Sequence, residues 1–211
     1  MKCLEYSNET MDNEIRYRYD TMMALVDAII PRTPELAAIY GAYMYYGAVD
    51  YLTYEFLVMM LDYYYEPLSG PIADLLNYVA LVLVRSDSIN GMNDQNYSEE
   101  EIIFARLIPR DRFRTLMLLD WINLDYPELL APFRNFPGII NISSSLNRYV
   151  MLGYYSEWYG YGSSRRNTPD QRTLEFYPPS WEQCGYPGPS QGYTAYVRQY
   201  YQIKENRQNG A

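Results

Sequence analysis

The chain predicts an all-α fold: a compact helical bundle closed by an irregular Tyr/Pro/Gly-rich C-terminal strap. Three observations predict it. Apolar residues recur at helical spacing through most of the first 158 positions, and caps and prolines divide those runs into helix lengths. No series of period-two strands interrupts them. Beyond residue 160 the segment YPPSWEQCGYPGPSQGY crowds turn-formers between aromatic rings, which opposes regular structure. The expected organisation is an N-terminal extension over 1–11, a helical domain over 12–159, a wrapping segment over 160–203 and a flexible tail over 204–211.

Asp12 or Asn13 is positioned to cap a first helix that runs to Ile30. Ile15, Tyr19, Met22, Val26 and Ile29 give it one apolar face, and Pro31 ends it. Thr33-Pro34 restarts a helix with a cap followed by proline at its first position, and Gly41 and Gly47 interrupt it or let it pack closely. Over 48–65, AVDYLTYEFLVMMLDYYY is apolar on most sides, as a central helix would be. Its charges Asp50, Glu55 and Asp62 share no helical spacing and are assigned to solvent-facing positions.

Ser69-Gly70-Pro71 opens a further helix that ends near Ser86, and SDSINGMNDQNYS follows as a polar loop. Ser98 and Glu101 form a capping box that starts the helix EEEIIFARLI, which stops before Pro109. PRDRFRTLMLLDWINL is the next helix, with Phe113, Leu116, Met117 and Trp121 on one stripe. PELLAPF makes a turn, and a last helix spans 139–158.

Composition narrows the chemistry. There is no histidine, which removes Ser-His-Asp and Cys-His catalysis, His-ligated haem and most zinc sites. Cys3 and Cys184 are too few for a cluster or a disulfide framework, and two free thiols are the expected state. Lys2 and Lys204 are the two lysines, both near chain ends, a poor place for a Schiff base. Residues 1–100 carry 5 basic and 16 acidic groups, net −11, and residues 101–211 carry 12 and 10, net +2. That acidic balance disfavours nucleic acid. LAAIYGAYMYYGAV, at fourteen residues, is short of a membrane span. The polar start MKCLEYSNETMDNE does not read as a signal peptide, and Arg165-Arg166 has no apolar segment after it. A cytoplasmic location is expected, with a spore or inclusion assembly compatible with it.

No enzyme constellation emerges, and no cofactor or metal is expected. GYGSS and CGYPGPSQG match neither a P-loop nor a dinucleotide fingerprint. Ser143-Ser144-Ser145 has no base to activate it. The sequons at Asn96 and Asn141 read as coincidence. What stands out is 26 Tyr with 15 Arg, a pairing suited to contact surfaces. The rings near 154–161 and 177–201 fit a sugar-stacking platform gripped by Glu157, Asn167 and Gln183, or a protein-contact face, the commoner use of such rings. The expected contact residues are Tyr154, Tyr155, Trp158, Tyr161, Tyr186 and Tyr193.

Two blocks occur in order: ALVDAIIPRTPEL with Gly41-Ala42 and Gly47-Ala48, then LGYYSEWYGYG with CGYPGPSQGY. Ile29-Ile30-Pro31, Gly153-Tyr154-Tyr155-Ser156 and Gly185-Tyr186-Pro187-Gly188-Pro189 with Tyr193 make this arrangement resemble the small third subunit of the gluconate 2-dehydrogenase family, over roughly residues 15–195. The resemblance implies a helical accessory subunit without a redox centre. Its partner would be a large flavin-bearing dehydrogenase subunit that oxidises a sugar acid or sugar alcohol and passes electrons to a cytochrome. The twin-arginine leader usual in that family is not visible ahead of the first helix. The alternative expectation is a self-associating structural protein of coat or inclusion type, built on Tyr and Arg contacts.

Overall fold

A computed structural model describes residues 2–63, 66–92, 102–133 and 139–188, with side chains in the first helix described from residue 13 onward. Tyr193, Pro189, the Ser98 capping box, the Asn96 sequon, the Cys3 thiol and the tail over 204–211 lie outside the described residues.

Eight α-helices joined by short 3-10 turns account for the described fold, and no strand occurs among the described residues. The helices are α1 (Lys2–Ile29), α2 (Ala37–Tyr40), α3 (Thr53–Asp62), α4 (Ser69–Arg85), α5 (Ile103–Arg106), α6 (Pro109–Asp125), α7 (Ile142–Tyr155) and α8 (Pro179–Cys184). Met92 and Leu107 make a single antiparallel bridge. None of the described helices is long and apolar enough to cross a membrane.

Helix α1 starts at Lys2, not at the expected cap near 12, because nothing between Lys2 and Ile29 breaks it. The segment assigned to an extension is therefore part of the helix. Met22, Leu25 and Val26 are fully buried, whereas Ile15 is exposed, so the apolar face is used from its middle onward. It packs against α3, α4, α5 and α6, which makes α1 as central as α3.

Asn77 ties three of these helices together. Its buried amide donates to Ala73 O at 2.9 Å and to the Thr21 hydroxyl at 3.3 Å, and its Oδ1 accepts the Phe104 amide at 2.9 Å. Arg112, also buried, donates to Asp27 at 2.8 Å and to Ala105 O at 2.7 Å, joining α6 to α1 and α5. Buried polar groups that are paired in this way fix one packing arrangement instead of several.

The sequence places a helix over 48–65, but α3 begins only at Thr53. The preceding turn is held by Asp50, which accepts the Gly47 amide at 2.8 Å and the Arg32 guanidinium at 2.7 Å. Leu52 then takes a left-handed conformation, φ 53°, an uncommon state for a side chain with a Cβ. The three acidic residues of this run are not free solvent-facing charges. Asp50 pairs with Arg32, Asp62 accepts the Ser69 amide at 2.9 Å at the start of α4, and Glu55 is buried.

Helix α6 corrects a second expectation. Leu116, Leu119 and Ile122 face the core, but Phe113, Met117 and Trp121 face outward. Residues four apart drift about 40° around a helix, so this series climbs away from Leu116 on a face of its own. Asp111, fully buried in the first turn, accepts the Asn90 side chain at 2.6 Å, the Gly91 amide at 3.1 Å and Arg114 at 3.0 Å, pinning the loop after α4.

Candidate functional site

The aromatic residues singled out in the sequence converge on the end of α7. Gly153 permits the approach: a Cβ there would lie 2.5 Å from the Phe56 ring, so only glycine lets α7 settle on α3 at this depth. Tyr154 follows and stacks on Tyr51, ring centroids 5.2 Å apart, while its hydroxyl donates to Gln183 Oε1 at 3.2 Å. Tyr51 also meets Tyr46 at 6.2 Å and Tyr159 at 5.0 Å, and Tyr159 meets Phe176 edge-on at 5.3 Å. Such ring pairs add specific geometry to burial.

The strap supplies the second half. The Gly160 carbonyl accepts the Glu175 amide at 2.8 Å, and a Cβ on Gly160 would lie 2.7 Å from Phe176 O, so two segments of the strap approach closely at glycine. Trp181 on α8 donates from its indole to Tyr155 O at 2.7 Å and holds Tyr177 and Tyr186 at ring distances of 5.5 and 4.9 Å. Trp158 donates to Leu52 O at 3.0 Å, with Phe56 edge-on at 5.6 Å and the Arg172 guanidinium 5.7 Å over its ring.

The expected contact set therefore divides in two. Tyr154 and Trp158 are 3% and 2% exposed; they are the base of the cluster and present no ring to a partner. Their hydrophobic area is already spent on Tyr51 and Phe56. Tyr155 and Tyr186, at 42% and 43%, do face solvent. Tyr161 is half-buried, its hydroxyl donating to Glu157 at 2.9 Å and its ring under Arg172. Tyr46 and Phe176, which complete the exposed rim, fall outside the ring segments the sequence points to; Tyr177 and the organising Trp181 lie within the 177–201 segment but not among the expected contact residues. The Trp181 signal was legible in YPPSW, where paired prolines lead into a tryptophan.

Two of the three polar groups expected for a sugar platform are turned to other uses, and Asn167 is held through its backbone, its carbonyl accepting from Arg172 at 3.0 Å. Glu157 is engaged by Tyr161, and Gln183 accepts from Tyr154. Burial pushes the Tyr154 phenol up to about 12 and also raises Tyr51, whose hydroxyl is buried without a hydrogen-bond partner. Both rings stay neutral across the physiological range, so neither supplies a base there.

Beside Trp158 lies a charge cluster built on a buried carboxylate. Glu55 is 7% exposed, and its two oxygens accept from Arg165 Nε at 2.9 Å and Arg166 Nη2 at 2.7 Å. Burial pushes the Glu55 carboxyl up, but the two guanidiniums outweigh it and hold the group below its ordinary range. The arginine pair thus seals the strap to α3, beside a cleft of about 160 Å³ lined by Tyr19, Val58, Met59 and Trp158. Among the described residues no group of three or more Cys, Asp or Glu side chains converges as a metal site requires. Cys184 is a free, exposed thiol.

Comparison with protein-family models, with curated proteins and with solved structures gives no match to this chain.

Proposed function

We propose that this chain is a non-catalytic accessory subunit that binds a larger protein through the aromatic rim of the strap. The observation that carries the reading is the pairing of exposed rings with a fixed base: Tyr46, Tyr155, Tyr177 and Tyr186 are exposed and each meets a buried ring, and exposed Phe176 meets the half-buried Tyr159. Rigid aromatic groups bury a large area at small entropic cost on association, as binding hot spots do. The sequence blocks around Pro31, Tyr154 and Tyr186 supply the class of partner: a flavin-bearing dehydrogenase subunit acting on a sugar acid or sugar alcohol.

The test is affinity capture of the full chain from cells that express it naturally, followed by an absorbance scan of the eluate. A co-eluting protein with flavin bands supports the reading. A second reading, a self-associating coat or inclusion protein, draws on the 26 Tyr and 15 Arg. It predicts large homotypic particles without flavin in the same eluate.

A further inference from the structure

Helix α6 has an outward face that the described part of the strap does not use. Phe113, Met117, Trp121 and Leu124 are all exposed on it, and Met117 is 60% open to solvent. A contiguous apolar patch of this kind on a helix marks an interaction surface. Its layout is symmetric along the helix. Phe113 and Trp121 each lie four residues from Met117, and exposed Arg110 and Asp125 lie near the two ends.

We propose that this face binds the same face of a second copy of the chain, with the two α6 helices antiparallel about a two-fold axis at Met117. In that arrangement Met117 meets the partner's Met117. Phe113 packs beside the partner's Trp121, and Leu124 beside the stem of the partner's Arg110. Arg110 and Asp125 sit on the same flank of the helix, so each Arg110 reaches the partner's Asp125 and two ion pairs close the ends.

Charge placement favours a second copy over an unrelated protein. Arg110 stands in the first turn of α6 and Asp125 in the last, each the unfavourable sign for its own helix end. Antiparallel pairing reverses both penalties, because Arg110 then lies at the partner's C-terminal end and Asp125 at its N-terminal end. A partner with a different sequence would need no such palindrome. A 17-residue helix gives a seam about 25 Å long. A seam of one helix falls below the area of a standard interface, so the dimer is expected to dissociate at about 1–100 µM.

Sedimentation equilibrium on the full chain tests this. The wild type should fit a monomer–dimer equilibrium. Arg110→Asp and Asp125→Arg should each weaken dimerisation about tenfold, since each change removes two ion pairs and adds repulsion. The double variant R110D/D125R should restore it to within about threefold. Each reversal suits its own helix end, so folding is expected to survive, and circular dichroism checks this. Met117→Glu should abolish the dimer. A wild type that is monomeric at every concentration overturns the proposal, as does a dimer indifferent to Met117→Glu or a double variant no better than the singles. Flavin capture is read separately, so either proposal can fail without the other.

Discussion

Arg166 and Glu55 are 111 positions apart in the chain and meet at 2.7 Å. Together with Arg165 at 2.9 Å, this contact fastens the strap to the first bundle helix it crosses, α3. Three of the rim rings, Phe176, Tyr177 and Tyr186, lie beyond this anchor in the chain.

Glu55→Ala is expected to destabilise the fold by about 2 kcal/mol, between the cost of breaking a buried pair and that of a surface one. Arg166→Ala should cost under about 1 kcal/mol, because its side chain is 66% exposed. Urea unfolding curves for the two variants check the ranking. Equal midpoints would show that the cluster does not anchor the strap.

Acid should loosen both the strap attachment at Glu55 and the loop after α4 that Asp111 pins. Glu55 and Asp111 both have carboxyls held below their ordinary range in the fold; burial opposes this, and the hydrogen bonds to each exceed it. The unfolded chain therefore takes up protons first. The stability from these groups is complete above about pH 4.5 and is lost as pH falls through their lower folded values. Asp111→Asn should flatten this slope in a thermal-unfolding series across pH.

Base and rim should respond differently to truncation. Tyr154→Ala and Trp158→Ala each empty a buried site and should cost about 3–5 kcal/mol. Tyr155→Ala and Tyr186→Ala should cost less than about 1 kcal/mol, with the loss appearing in binding instead. Denaturation and capture measured on the same four proteins separate the two classes.

Gly153→Ala tests the close approach of α7 to α3. The added methyl would meet Phe56 at 2.5 Å and the Thr53 side chain at 3.1 Å, both on α3. A destabilisation of about 1–3 kcal/mol is expected, and wild-type stability would mean the helices have room to separate.

Helix positions were largely legible in the sequence, because apolar spacing, Pro31, Pro71 and Pro109 act locally. The environment of each position was harder to read. Glu55 looked like a solvent-facing charge because its partners lie more than a hundred residues away. A lone carboxylate in an apolar run, with one arginine doublet elsewhere, was the available signal. Phe113, Met117 and Trp121 shared a stripe with Leu116 by spacing alone, but a wheel does not say which of two adjacent faces meets the core. Tyr154 and Trp158 stand out in the sequence as aromatic residues beside a turn-rich region, but their burial depends on Tyr51 and Phe56, far away in sequence.

The most direct measurement is the amount of flavin protein recovered per mole of captured chain, for the wild type and for the double variant Tyr155→Ala/Tyr186→Ala. An adhesive aromatic rim predicts stoichiometric recovery with the wild type and at least a tenfold loss, about 1.4 kcal/mol, with the variant at unchanged fold stability. Equal recovery from both, or no flavin protein with either, would contradict it.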